Sequence, residues 1–128
     1  MKIENIKFKA KRLDDNSWVF GYFYEENGNT YIIENRQKES MLNRNLAYQV
    51  DPSSICQFTG LTDENGVEIY ENDIVKIYDW EEVICNVEYK DYGFCLCDKH
   101  FRSGMMPLGV TLGNCYIYVV GNKFDKEE

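Results

Sequence analysis

Apolar and polar residues alternate along most of the chain, and this alternation predicts short β-strands. The stretch "IENIKFKAK" near the beginning shows it most clearly, because an apolar set and a lysine set fall on opposite faces. The apolar set is Ile6, Phe8 and Ala10, and the lysine set is Lys7, Lys9 and Lys11. A period of two residues is typical of a strand with one buried face.

The rest of the first half continues in the same pattern. "WVFGYFYEE" predicts a second strand, in which Gly21 marks either a bulge or a close approach of two backbones. "NGN" at 27–29, followed by "TYIIEN", predicts a hairpin, because Asn-Gly readily supplies the two positive φ angles of a type I′ turn. "AYQV" and "SICQF" predict two short strands around Asp51-Pro52. Residues 1–60 are therefore interpreted as a small curled sheet of about five strands.

The second half contains four or five more strand patterns separated by turn signals. "DIVKIY" and "EVICNVEYK" alternate, "DYG" leads into "FCLC", and "CYIYVVGN" ends the series. Short strands at this spacing are typical of a small barrel, which we assign to residues 61–128. No long segment has the 3.6-residue apolar period of a helix. The predicted fold is mainly β, or at most a β-rich α+β fold, with the two subdomains packed into one compact unit.

The excess of acid lies entirely in the second half. Residues 1–60 hold eight basic and eight acidic residues, whereas residues 61–128 hold six and fourteen, so the second half carries the whole net charge of −8. The densest part is predicted to form an acidic face, made of Asp63, Glu64, Glu68, Glu71, Asp73, Asp79, Glu81 and Glu82. Such a face repels a phosphate backbone, so direct nucleic-acid binding by this half is not expected.

The compartment is predicted from what the sequence lacks. No apolar run approaches the roughly 18–20 residues of a bilayer span, and "MKIENIKFKAKR" has no apolar signal-peptide core. The five cysteines are odd in number, and Cys56, Cys85 and Cys115 lie in apolar strand patterns. These features favour a cytoplasmic protein with reduced thiols.

The segment "CLCDKH" is the one candidate metal site. Cys95 and Cys97 would lie on the same side of a strand, with His100 nearby, so they could face one ion or sit side by side in a core. The C-x-C spacing and the missing fourth ligand favour buried thiols over zinc. The acids from Asp63 onward fail the calcium-loop pattern, because Gly66 comes fourth rather than sixth. His100 and a nearby Cys could form a nucleophile–base pair, but no third group that would orient them is recognised. A phosphate-binding glycine loop is also missing from the sequence, so we expect neither an enzyme nor a cofactor.

Aromatic residues of the second half are candidates for a binding groove. The aromatic set is Tyr78, Trp80, Tyr92, Phe94, Tyr116 and Tyr118. Such side chains can bind a peptide or stack on bases, although a small barrel also needs them as core. We select Tyr78, Trp80 and Tyr92 as the partner-binding candidates.

The segment "QFTGLTDENGVEIYENDIV" resembles the hallmark of the YopX family, which is encoded by bacteriophages and prophages. "IKFKAKRLDDNSWVFGYF" resembles the opening of that family, "YQVDPSSICQFTGL" its middle and "YIYVVGN" its closing strand. Asn72 stands where the family usually has Gly, and Asn tolerates the left-handed conformation best among the other residues. The segment is interpreted as a structural corner, with turn residues Gly60, Asn65, Gly66, Asn72 and Asp73. The resemblance implies an SH3-like barrel at the C-terminal end, and no known chemistry.

Three hypotheses for function follow. The first is a non-enzymatic phage accessory protein that binds a protein partner, which is either a different protein or another copy of itself. The second is an acidic nucleic-acid mimic that blocks a basic protein. The third is a weak nucleic-acid-binding barrel that uses Lys7, Lys9, Lys11 and Arg12, although lysines on a strand more often serve as a solubilising edge.

Overall fold

The chain folds into two compact units, Met1–Gln57 and Phe58–Glu128. The computed structural model describes residues 5–34, 46–78, 82–90, 93–97, 105–113 and 115–125. Antiparallel strands dominate both units, which confirms the prediction of a mainly β fold.

The first unit contains the predicted set of short strands. They are β1 (Phe8–Lys11), β2 (Trp18–Glu26), β3 (Asn29–Ile33), β4 (Ala47–Val50) and the beginning of β5 (Cys56–Thr62). They pair in the order β4-β3-β2-β1-β5, and a 3-10 turn, Pro52–Ser54, precedes β5. The core consists of alternate residues from four strands: Ala10, Val19, Ile32 and Val50.

The hairpin between β2 and β3 confirms the Asn-Gly prediction. Asn27 has φ 52° and Gly28 has φ 81°, both in the left-handed region that a type I′ turn requires. Glu26 pairs with Asn29 directly beside the turn. The register set here places Thr30 and Ile32 in the interior of the unit.

Gly21 marks the point at which β2 changes partner. Residues up to Gly21 pair with β1, and residues from Tyr22 onward pair with β3. A Cβ atom added at Gly21 would lie 1.9 Å from the carbonyl oxygen of Ile33. Of the two predicted explanations for this glycine, the close approach of two backbones is the one observed.

The second unit contains the remaining strands. They are the end of β5, then β6 (Glu68–Tyr70), β7 (Asp73–Tyr78), β8 (Glu82–Lys90), β9 (Gly93–Cys97), β10 (Met105–Pro107) and β11 (Tyr116–Asn122). A one-turn helix, α1 (Leu108–Leu112), lies between the last two. The strands form a five-stranded sheet in the order β10-β9-β8-β7-β11, and β6 pairs with β5.

The predicted SH3-like barrel is not confirmed. The five-stranded sheet has two separate edge strands, β10 and β11, and no pairing between them occurs within the described residues. The outer edge of β11 is instead capped by the loop after β5, where the amide of Glu64 donates to the carbonyl of Ile117 over 3.1 Å. The alternation of residues reveals a buried face but not how the edges of a sheet are covered.

One face of this sheet is the core of the second unit. Its buried residues come from every other position of the strands, with additions from β6 and α1: Ile69, Val75, Ile77, Cys85, Val87, Leu96, Leu108 and Ile117. Within the described part of the chain, no helix is long and apolar enough to cross a membrane.

We predict that Gly21→Ala destabilises the first unit by about 3 kcal/mol or more, because the new methyl group overlaps a backbone carbonyl that cannot rotate away. Chemical denaturation of the purified chain measures this change. The control is Gly93→Ala, whose added Cβ meets nothing within 4 Å and which should change stability by less than about 0.5 kcal/mol. Equal stability of the two variants would contradict the close approach.

Candidate docking surface on the five-stranded sheet

Asp63, predicted to lie on an acidic face, is buried and holds two parts of the second unit together. One carboxylate oxygen, Oδ1, accepts from the amides of Asn65 and Val67 at 2.8 and 2.9 Å. The other, Oδ2, accepts from the amide of Val119 on β11 at 2.9 Å. Its side chain is therefore committed to backbone groups of the turn and of the edge strand.

Asp73 plays a comparable role at the beginning of β7. It is fully buried, and its two oxygens accept from the Tyr70 amide and from the side-chain amide of Asn122, each at 2.8 Å. Asn122 in turn accepts from the Phe124 amide through Oδ1 at 2.9 Å. This network joins the β6–β7 corner to the end of β11.

The predicted turn residues lie in the segment that resembles the YopX hallmark, residues 57–75, which we call the signature segment. Asn72 has φ 68°, and its amide and carbonyl bond to Val87 and Lys123 at 2.7 and 2.9 Å. Asn65 and Gly66 form the turn that Asp63 caps, and Gly66 has φ 79°. Gly60 differs from the prediction of a turn, because it lies inside β5, where the pairing with β6 changes register.

The predicted acidic face is therefore smaller than the sequence indicates. Asp63 and Asp73 contribute nothing to it, since 6% and 0% of their surfaces are exposed. Glu64 is exposed, and Glu68 and Glu71 are partly buried. Asp79 and Glu81 lie outside the described residues, as does the side chain of Glu82. The carboxylates of Asp63 and Asp73 are buried because each accepts hydrogen bonds from backbone or side-chain amides. Such donors are the condition for burying a charge.

The candidate metal residues are only partly described. Cys95 is buried and Cys97 is partly buried, whereas His100 lies outside the described residues. Burial is the largest cause that raises the pKa of the Cys97 thiol, and a hydrogen bond to Glu88 is the second. Together they raise this pKa to about 11. A protonated thiol is a poor nucleophile and a poor metal ligand at neutral pH. Within the residues described, no cluster of three or more metal-ligating side chains occurs.

Two of the lysines on β1 are nearly inaccessible. Lys9 and Lys11 are 9% and 8% exposed, and their ammonium groups lie 4.6 and 4.5 Å from the centre of the Trp18 ring. At these distances the two charges interact with the π face of the indole. This arrangement differs from the solubilising edge and from the phosphate-binding surface that the sequence suggested. Lys7 is partly buried, and Arg12 lies over the ring of Tyr48 at 4.2 Å.

The outer face of the five-stranded sheet holds a tyrosine groove, which we define as Lys76, Tyr78, Tyr116, Tyr118 and Val120. Register explains the cluster, because Tyr116 pairs with Tyr78 and Tyr118 pairs with Lys76 across β11 and β7. The rings of Tyr78 and Tyr118 meet edge to face, with centroids 5.5 Å apart. The groove has a volume of about 470 Å³.

The tyrosine groove is open to solvent. Tyr116 is 63%, Val120 55% and Tyr78 40% exposed, and Ile84, the register neighbour of Lys76, continues the apolar surface. Two exposed rings, the partly buried ring of Tyr118 and one ammonium group offer apolar contact area, hydroxyl hydrogen bonds and π faces for a cation.

One of the three partner-binding candidates lines this groove. Tyr78 belongs to it, whereas Trp80 and Tyr92 lie outside the described residues. Tyr116 and Tyr118 were candidates for a groove, but Phe94 packs against the core instead. Lys76 and Val120 were missed. Their position depends on the pairing of β7 with β11, two strands that the sequence separates by more than thirty residues, and alternation within one strand does not reveal its partner.

We predict that Asp63→Asn destabilises the second unit by about 3 kcal/mol, because an amide nitrogen replaces one acceptor and faces a backbone N–H donor. Thermal or chemical unfolding measures the change. Glu64→Gln is the matched control, since it removes the same charge from an exposed neighbour and should alter stability by less than about 0.5 kcal/mol. If the two variants unfold alike, Asp63 does not hold the edge strand.

We also predict that Cys97 reacts slowly with iodoacetamide. With a pKa of about 11, its thiolate fraction at pH 8 is on the order of 100-fold below that of an ordinary thiol with a pKa of about 8.5. Peptide-resolved mass spectrometry of the native chain measures alkylation at this residue. Alkylation as fast as that of a model thiol would contradict the raised pKa.

No curated protein matches this chain significantly. The sequence model of one family, described as YopX protein, matches residues 7–128. This match covers the signature segment, both compact units and the tyrosine groove, and it confirms the resemblance seen in the sequence. The chain therefore belongs to the YopX family.

Proposed function

We propose that this chain is a non-enzymatic protein-binding module that docks its partner on the tyrosine groove. The observation that carries the proposal is the exposure of Tyr78, Tyr116 and Val120 on one face of a sheet. Protein interfaces are enriched in tyrosine, and their centres combine apolar contact with hydrogen-bonding ability. The partner belongs to the bacterial cytoplasm, where a phage or prophage accessory protein would act.

The structural use of the signature segment supports a role without catalysis. Asp63 and Asp73 accept hydrogen bonds from backbone and amide groups, so neither carboxylate is placed to transfer a proton to a substrate. Cys97 holds its proton at neutral pH. Catalytic acids and nucleophiles need accessible groups with pKa values near the working pH.

The second candidate, an acidic mimic of nucleic acid, is supported by the net charge of −8, all of which lies in residues 58–128. Binding through charge alone weakens steeply with salt, whereas an apolar tyrosine interface depends on it little. Self-association through the same groove is a further form of the first candidate. Sedimentation of the purified chain distinguishes it from binding to another protein.

We predict that Tyr78→Ser with Tyr116→Ser abolishes partner capture without unfolding the chain, because both side chains are largely exposed. Nuclease-treated lysate of the host bacterium is passed over immobilised wild type and double variant, and captured proteins are eluted with increasing salt and identified by mass spectrometry. Loss of affinity should be at least about tenfold, as expected for two central tyrosines.

The control for this experiment is Tyr89→Ser. Tyr89 is also an exposed tyrosine of the second unit, 53% accessible, but it packs against Phe94 and does not line the groove. Equal loss of capture in the control, or full capture by the double variant, would contradict docking at the groove. A partner that is released from all three proteins at low salt would favour the acidic mimic.

A further inference from the structure

We infer that the tyrosine groove takes the guanidinium group of an arginine, presented by a basic segment of the partner protein. This inference rests on the proposed function, since it specifies the chemistry of the partner that the groove binds. It concerns the ring faces of Tyr78, Tyr116 and Tyr118 and the charges that flank β11.

The groove already holds one cation over an aromatic ring. The ammonium group of Lys76 lies 5.8 Å from the centre of the Tyr78 ring, within the distance at which a ring quadrupole attracts a cation. Tyr116 is the most exposed ring of the set, at 63%, and stands on the neighbouring strand in register with Tyr78. A second cation can therefore use a ring that Lys76 does not cover.

Two exposed carboxylates flank the strand that carries these rings. Glu64 follows the capping residue Asp63 and bonds through its amide to Ile117 of β11. Asp125 lies at the other end, where its Oδ2 accepts from the Asn122 amide at 2.9 Å. Both are exposed. Residues 58–128 as a whole carry a net charge of −8, which attracts a basic segment over long distances.

The same charges disfavour the other occupants. An acidic segment would gain contact with Lys76 but would be opposed by the net charge of −8 that residues 58–128 carry. A second copy of the chain brings its own net charge of −8, so its approach is opposed at low salt. A basic segment is opposed by Lys76 and by the exposed Lys123, which follows β11, and each contributes a repulsion of about 1 kcal/mol at contact in water.

Arginine fits this groove better than lysine. The guanidinium group is planar, stacks on aromatic rings and is more weakly hydrated than an ammonium group. Its N–H donors can also reach tyrosine hydroxyl oxygens while its plane lies on a ring. A lysine would bring the same charge without the stacking surface.

The test is a titration of the isotope-labelled full-length chain with three synthetic peptides, followed by NMR. The peptides alternate glycine with arginine, lysine or glutamate, and each titration is run at about 50 mM and at about 300 mM salt. The arginine peptide should bind at least about threefold tighter than the lysine peptide, and the glutamate peptide should not bind. The shifted amides should cluster at Tyr116, Tyr118 and Val120.

Three variants locate the binding. Lys76→Gln should raise affinity for the arginine peptide about two- to fivefold, because it removes the opposing charge. Tyr116→Leu, which keeps apolar bulk but removes the ring, should lower it about fivefold. Tyr89→Leu, outside the groove, should leave it unchanged.

Other results would overturn the inference. They are equal binding of the arginine and lysine peptides, tighter binding of the glutamate peptide, weaker binding in Lys76→Gln, or a concentration-dependent dimer that occupies the groove. If the arginine peptide fails while Tyr78→Ser with Tyr116→Ser still loses a captured protein, only the chemistry of the partner is wrong. If both experiments fail, the proposed function fails with it.

Discussion

The second unit depends on one buried carboxylate. Asp63 receives hydrogen bonds from Asn65, Val67 and Val119, and the last of these donors is 56 residues away along the chain. Hydrogen bonds to a charged acceptor contribute more than neutral ones, and a buried charge is tolerated only when such donors surround it. A turn that would otherwise be a surface loop thereby becomes the cap of an edge strand.

The position of the groove follows from this constraint. The amide of Val119 and the carbonyl of Ile117 bond to the capping loop, and the same two residues direct their side chains to the core of the unit. Tyr116, Tyr118 and Val120 alternate with them and so lie on the opposite face. Capping also covers part of the outer edge of β11, which leaves the face of the sheet more accessible than that edge.

Local patterns in the sequence predicted the local structure. The Asn27–Gly28 hairpin and the alternation of β7 and β8 each depend on neighbouring residues, and the structure has them. The roles of Asp63 and Asp73 could not be predicted in this way, because their donors on β11 are brought near only by folding. A run of acids was therefore interpreted as a charged face, although two of its members are buried.

The contrast between local patterns and contacts that form only on folding also explains the predictions for the barrel and for the groove. The predicted barrel depends on how the edges of a sheet meet, and alternation carries no information about that. Tyr78 was recognised as a binding candidate from its residue type, whereas Lys76 and Val120 join it only through the pairing of β7 with β11. The family match covers residues 7–128, and the structure adds the pairing of strands that assembles the groove.

Hydrogen exchange of three backbone amides, those of Asn65, Val67 and Val119, tests the central claim most directly. If one carboxylate binds all three, they exchange slowly in the wild type and lose protection together in Asp63→Asn, while amides in the first unit keep theirs. The claim is contradicted if the Val119 amide exchanges as fast as an exposed edge amide in the wild type. It is also contradicted if the three amides lose protection independently of one another.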